Sequence, residues 1–120
     1  MSRDPGKLKV FLLADELVVE VYRATSRFPA EERFGLQAQL RRAAVSAAAN
    51  IVEGCARRTL RDYLHFVGIA TGSASEVRYL LGLSRRLGFT QARDAEQLAA
   101  RYGDVIRGLQ RLISSLEQHA

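Results

Sequence analysis

The chain has 120 residues, 48% of them hydrophobic, enough for one domain with its own core, which argues against a second. Lysine and arginine outnumber aspartate and glutamate by 18 to 13, so a polyanion is the natural electrostatic partner. The single cysteine, Cys55, rules out an intrachain disulfide, and the apolar run after Lys9 is broken by Asp15 and Glu16, which excludes a membrane span there and gives no signal-peptide pattern. A cytoplasmic location with no membrane partner is the expectation.

Four helical segments follow in chain order. The first, about 8–27, opens after Pro5-Gly6 and carries Phe11, Ala14, Leu17, Val18, Val21 and Tyr22 on one side. Leu12, Leu13 and Val19 widen its apolar arc and leave a narrow polar strip of Lys9, Glu16, Glu20, Arg23 and Arg27. The second, about 31–56, begins after Phe28-Pro29. Its seam is Leu36, Leu40, Ala44, Ala47 and Ile51, and a second stripe of Val45, Ala48 and Val52 lies about a quarter turn away at 3.6 residues per turn.

The third segment, about 60–87, starts at Thr59-Leu60-Arg61-Asp62, a capping box with Asp in place of Glu or Gln. Tyr63, Phe66, Ala70, Ser73, Val77, Leu80, Ser84 and Leu87 recur at steps of three and four. Gly88 ends it and Thr90 is the expected N-cap of the last segment, about 91–118, whose seam is Ala95, Leu98, Tyr102, Val105, Leu109, Leu112 and Leu116. Short connections between long helices predict an all-α, antiparallel up-and-down four-helix bundle.

The first two helices carry more apolar surface than such a bundle buries, so Leu12, Leu13, Val19, Val45, Ala48 and Val52 are expected to meet another subunit. Gly68 and Gly72, one turn apart, weaken their helix by roughly 1 kcal/mol each relative to alanine, which points to a close helix contact, internal or between subunits.

Two groups of residues bear on function. Arg42, Ser46, Asn50 and Glu53 form a polar stripe on the second helix, and Glu76 on the third shares its ambiguity. Buried unpaired, these side chains cost free energy, so a hydrogen-bonded network that fixes helix register is the leading reading and a ligand contact the second. Arg41, Arg42, Arg57, Arg58 and Arg61 suit phosphate oxygens, and ion pairs to Glu53 or Asp62 are the bland alternative. No aromatic residues interleave with them, which favours sequence-independent phosphate binding of RNA or DNA over base stacking. Arg78, Arg85 and Arg86 form a weaker cluster, read as solubilising.

Enzymatic readings lack parts, and no catalytic residue, metal ligand set or cofactor is assigned. Asp62 and His65 have the spacing of a di-iron helix motif, but the other histidine, His119, sits near the terminus. Arg58 and His65 resemble the arginine–histidine element of all-helical ribonucleases, an alternative function, as is a purely structural scaffold. Arginines near Cys55 favour a lowered thiol pKa, whereas a buried inert thiol is the commoner outcome.

The succession KLKVFLLADEL, VYRAT, FPAEERFGLQAQLRRAAVSAAANIVEG and YLHFVGIATGSASEVRYLL resembles the four-helix-bundle family named for 23S rRNA intervening sequences. It is also similar to that family's relatives, the accessory variability determinants of diversity-generating retroelements. The resemblance runs from about Leu8 to Phe89 and rests on Phe28-Pro29, Glu32, Phe34-Gly35-Leu36, Gln39, Arg41-Arg42, Ser46, Asn50-Ile51, Glu53-Gly54 and Gly72-Ser73 with Glu76. It departs at Ala47-Ala48, where the family often has Ile-Pro, and at Val52, where it often has Ala; without the proline the second helix should run straighter. The resemblance implies a homopentamer with a basic nucleic-acid-binding surface and no catalytic centre and, for the retroelement relatives, partnership with a reverse transcriptase and its template RNA.

Overall fold

The computed structural model describes residues 3–118, and His119 lies outside them. Four helices occupy this span: α1 (Lys9–Thr25), α2 (Leu36–Cys55), α3 (Leu60–Arg86) and α4 (Ala92–Gln118). No strand occurs among the described residues. Each helix packs on its neighbours in chain order and α4 closes on α1, giving an all-α four-helix bundle of 46 × 22 × 19 Å.

Local chemistry sets the helix ends. The Thr59 hydroxyl accepts from the Asp62 amide at 3.1 Å and starts α3. Gly88, at φ 78, ends it: the Gly88 amide donates to the Arg85 carbonyl at 3.0 Å and the Phe89 amide to that of Ser84 at 2.9 Å. Thr90 makes no capping bond among the described residues, and α4 begins at Ala92. The second helix starts later than its composition predicts. Ala30–Glu32 form a 3-10 turn and residues 33–35 a further turn, and the Glu32 side chain reaches forward to accept from the Leu36 amide at 3.1 Å. That carboxylate is the cap, so Glu31 and Glu32 precede the helix instead of belonging to it. The first helix stops at Thr25, whose hydroxyl bonds back to the Val21 carbonyl at 2.8 Å.

The core joins one stripe from each helix: Ala14, Leu17 and Val21; Leu40, Ala44, Ala47 and Ile51; Tyr63, Val67, Ala70, Ala74 and Val77; Tyr102, Val105 and Leu109. Tyr22 and Leu87, placed on the seams by spacing, are exposed, and Val67, Ala74 and Leu81 take the buried face of α3. Two glycines let backbones approach. A Cβ on Gly54 would stand 3.0 Å from the Tyr63 ring and 3.1 Å from the Phe66 Cβ, and one on Gly108 would stand 2.9 Å from Val10. Gly68 and Gly72 are different: both are exposed, with nothing within 4 Å of an added Cβ, so no internal helix contact explains them.

Among the apolar residues expected at a subunit contact, Leu12, Val19, Val45 and Val52 stand 51%, 49%, 41% and 44% exposed. Leu13 is half-buried and Ala48 is buried within the chain, because α1 leans on this part of α2 and a methyl side chain is short enough to be covered. Val45 and Val52 border a shallow groove of about 250 Å³ between α1 and α2, lined also by Phe11, Val18 and Ala49.

Candidate nucleic-acid interface

The turn joining α2 to α3 gathers cations at one end of the bundle. Gly54 draws α3 against α2 there and places Tyr63 and Phe66 beneath the turn. The Arg57 guanidinium lies over the Phe66 ring, 5.0 Å from its centroid, and pairs with Glu53 at 2.5 Å. Arg58 and Arg61 are exposed beside it.

The chain's beginning supplies a further cation. Asp4 accepts from the Gly6 amide at 2.9 Å and nucleates a 3-10 turn at Pro5–Lys7, which folds the preceding residues onto the bundle end. The Arg3 amide then donates to the Cys55 carbonyl at 2.7 Å, and its guanidinium covers Tyr63 at 4.1 Å. Sequence reasoning missed Arg3 because its position depends on this fold-back; Asp4-Pro5-Gly6 was the available signal. Aromatic rings do underlie the arginines, but Tyr63 is fully covered, so it serves as a platform for a cation and not for a base.

The five arginines singled out by sequence do not form one patch. Arg41 lies near the start of α2 and Arg57 just past its end, separated by most of the helix, roughly 20 Å at the helical rise of about 1.5 Å per residue. Arg41 is engaged internally: Nε donates to the Thr25 hydroxyl at 2.8 Å and Nη2 to the Tyr22 carbonyl at 3.2 Å, with the guanidinium stacked on Tyr22 at 4.5 Å. It fastens α2 to the end of α1, where the last carbonyls of that helix need donors. Arg42 is exposed on the other side of α2 and has no partner among the described residues.

Arg42 borders the polar stripe. The Ser46 and Ser73 hydroxyls are hydrogen-bonded at 2.8 Å across α2 and α3, and the Asn50 amide donates to the Ser46 carbonyl at 2.8 Å and to its hydroxyl at 3.0 Å. The Gln39 amide reaches the Glu76 carboxylate at 3.4 Å, so Glu76 pairs with an amide rather than with an arginine. Gln39, Arg42, Ser46, Ser73 and Glu76 line a shallow groove of about 370 Å³. Glu53 leaves this network for Arg57.

The groups considered for catalysis have other surroundings. Burial pushes the Cys55 thiol up, against the opposing pulls of Tyr63 and Arg3, so the arginines nearby do not create a thiolate. Tyr63 is pushed up to about 12, first by burial and next by Cys55, and its hydroxyl has no partner of normal hydrogen-bond geometry. His65 is exposed, edge-on to Phe66 at 5.2 Å, and makes no hydrogen bond among the described residues. No group of three or more metal-ligating side chains occurs among the described residues. No helix there is long and apolar enough to cross a membrane.

The model of the 23S rRNA-intervening sequence protein family matches residues 6–111, which include the whole signature on α2 and α3. The chain belongs to that family. A search of curated proteins finds no match. Among solved structures, a protein of unknown function from the S23 ribosomal protein family of Bacteroides thetaiotaomicron is similar, with 23% identity and a TM-score of 0.81. The similarity covers 88% of this chain and 95% of that one, and it shows the shared bundle fold. Within the family signature, Ser46 and Ser73 bond α2 to α3, Gly54 lets the two helices approach, Asn50 braces Ser46 from within α2, and Glu32 caps α2.

Proposed function

We propose that this family member is a non-catalytic, oligomeric nucleic-acid-binding accessory protein that holds RNA or DNA phosphates on the bundle end formed by Arg3, Arg57, Arg58 and Arg61. The observation that carries this reading is the pair of guanidiniums placed over the Tyr63 and Phe66 rings beside exposed Arg61. A guanidinium held over a ring loses less freedom on binding than an extended one, and Arg57 directs Nε to the Glu53 carbonyl and Nη2 to its carboxylate, donors that a phosphate would take over. Exposed ion pairs such as Arg57–Glu53 contribute about 0–1 kcal/mol, so that carboxylate is readily exchanged for a phosphate.

Assembly is part of the same reading. Val45 and Val52 line the α1–α2 groove and, with exposed Leu12 and Val19 on α1, give a second copy an apolar surface, and the family resemblance supports a ring of five. Repetition around a ring multiplies the weak phosphate contacts of each copy into avidity. A reverse transcriptase with its template RNA is the proposed larger partner, tested by reconstituting complementary-DNA synthesis with and without this protein.

The test is fluorescence anisotropy with short single-stranded RNA and duplex DNA at rising salt. Binding is expected to weaken steeply with salt and to fall at least tenfold in Arg57→Ala/Arg61→Ala, with the RNA left intact. Absent or salt-insensitive binding removes the reading and leaves a scaffold. Metal-independent cleavage abolished by His65→Ala replaces it with a ribonuclease. Light scattering tests the assembly separately: Val45→Asp/Val52→Asp is expected to give a folded monomer from an oligomeric parent.

A further inference from the structure

A second concave site lies at the opposite end of the bundle, between the last turns of α1 and the first turns of α4. It is a cleft of about 380 Å³, at the small end of the range that holds organic ligands, roughly 300–1,000 Å³. Its apolar surface comes from Ala24, Leu98 and Phe89, the last braced by the Phe28 ring at 5.7 Å between centroids. Arg23, Arg27 and Arg101 line the same cleft.

These guanidiniums are available. Arg27 has no partner among the described residues. Arg23 meets Glu20 at 3.5 Å and Arg101 meets Glu16 at 3.0 Å, in exposed pairs that a bound anion can displace. No described side chain caps the first turn of α4, and Asp94 within that turn offsets part of the positive charge of the helix end, so the arginines supply the main attraction for an anion.

The cleft is not a simple anion trap. Glu20 and Asp94 also line it, and would repel inorganic phosphate while accepting from hydroxyl or amino groups. Gln91 and Gln97 add amides able to donate and accept. A ligand that uses all of these features has an anionic group, a flat ring and several hydroxyl or amino donors. We propose that this cleft binds a nucleoside phosphate, either free or as the 5′-phosphorylated end of a strand. Its phosphate meets Arg27 and Arg101, its base lies against Phe89, and its ribose or amino donors face Glu20 and Asp94. This site is independent of the Arg3–Arg61 surface.

Isothermal titration of the full chain with adenosine 5′-monophosphate, adenosine and inorganic phosphate tests the proposal, alongside an RNA tetranucleotide with and without its 5′-phosphate. Saturable binding of the monophosphate, at least tenfold tighter than of phosphate or adenosine, supports a free nucleotide. Preference for the phosphorylated tetranucleotide over its hydroxyl form, with the monophosphate weak, supports a strand end. Either preference is expected to drop at least tenfold in Arg27→Ala/Arg101→Ala and to persist in Arg57→Ala/Arg61→Ala, with melting temperatures within a few degrees of the parent. Inorganic phosphate binding as tightly as both nucleotide probes, no saturable binding by any probe, or binding unchanged in Arg27→Ala/Arg101→Ala overturns it.

Discussion

The two flanks of α2 solve opposite problems. Toward α3 the helix is finished within the chain: Ile51 is fully buried, Gly54 admits the Tyr63 ring, and Ser46, Asn50 and Ser73 satisfy one another. Toward the α1 groove the same helix leaves Val45 and Val52 exposed. The flank toward α3 carries a bonded polar stripe, whereas the flank toward α1 carries valines that α1 does not cover. The closed flank accounts for the fold, and the open one is the surface on which assembly is proposed.

Neighbouring residues on the two flanks give the sharpest contrast. Ile51→Ala is expected to cost about 2–5 kcal/mol in denaturant unfolding, through lost burial and a cavity. Val52→Ala, one residue on, should cost under about 0.5 kcal/mol in the isolated chain and change chiefly the oligomer mass. Equal losses at both sites would erase the distinction between the flanks.

The glycines give a second, smaller contrast. Gly54→Ala forces Tyr63 and Phe66 to move, and overpacking of about 1–3 kcal/mol outweighs the helix-propensity gain of about 1 kcal/mol. Gly72→Ala meets open space, so thermal unfolding of the monomeric form should show a gain of about 0.5–1 kcal/mol. Loss of stability there, in the monomer, would contradict the open surface of α3.

Between the flanks, Ser46→Ala removes the hydroxyl that is bonded to Ser73 and accepts from Asn50, and is expected to cost about 1–2 kcal/mol; Ser46→Thr can restore the hydroxyl bond. Alkaline pH probes the closed flank most gently. The folded-state pKa of Tyr63 is raised from 10.0 to about 12, so its contribution is intact below pH 10 and declines as the unfolded chain ionises first, between about pH 10 and 12. Tyr63→Phe should flatten part of that decline in pH-dependent unfolding, with little change at neutral pH because the hydroxyl bonds to nothing.

The closed flank was the more legible of the two in sequence. Leu36, Leu40, Ala44, Ala47 and Ile51 repeat at helical spacing, and every one is buried. Ala48 was misread because periodicity gives a residue's direction but not the reach of the helix that covers it. The start of α2 was misread because Ala30, Glu31 and Glu32 have good helix propensity, whereas the Glu32 carboxylate is used as a cap. The candidate interface was half legible. Arg57, Arg58 and Arg61 are close in sequence and meet at one turn, but the rings that lie beneath the Arg3 and Arg57 guanidiniums come from α3. Arg41 looked equivalent to Arg42 because a sequence carries no sign that the end of α1 needs its donors. Arg3 became visible only once Pro5–Lys7 was seen to turn back on Cys55.

The most direct test of the proposed function is the slope of RNA affinity against salt for the parent and for Arg57→Ala/Arg61→Ala. For single strands the logarithmic slope is about −0.7 per phosphate neutralised. A parent slope of several units, shallower in the variant by about 0.7 for each arginine contact removed, is the predicted result. Identical slopes, or no RNA binding by the parent, would contradict it.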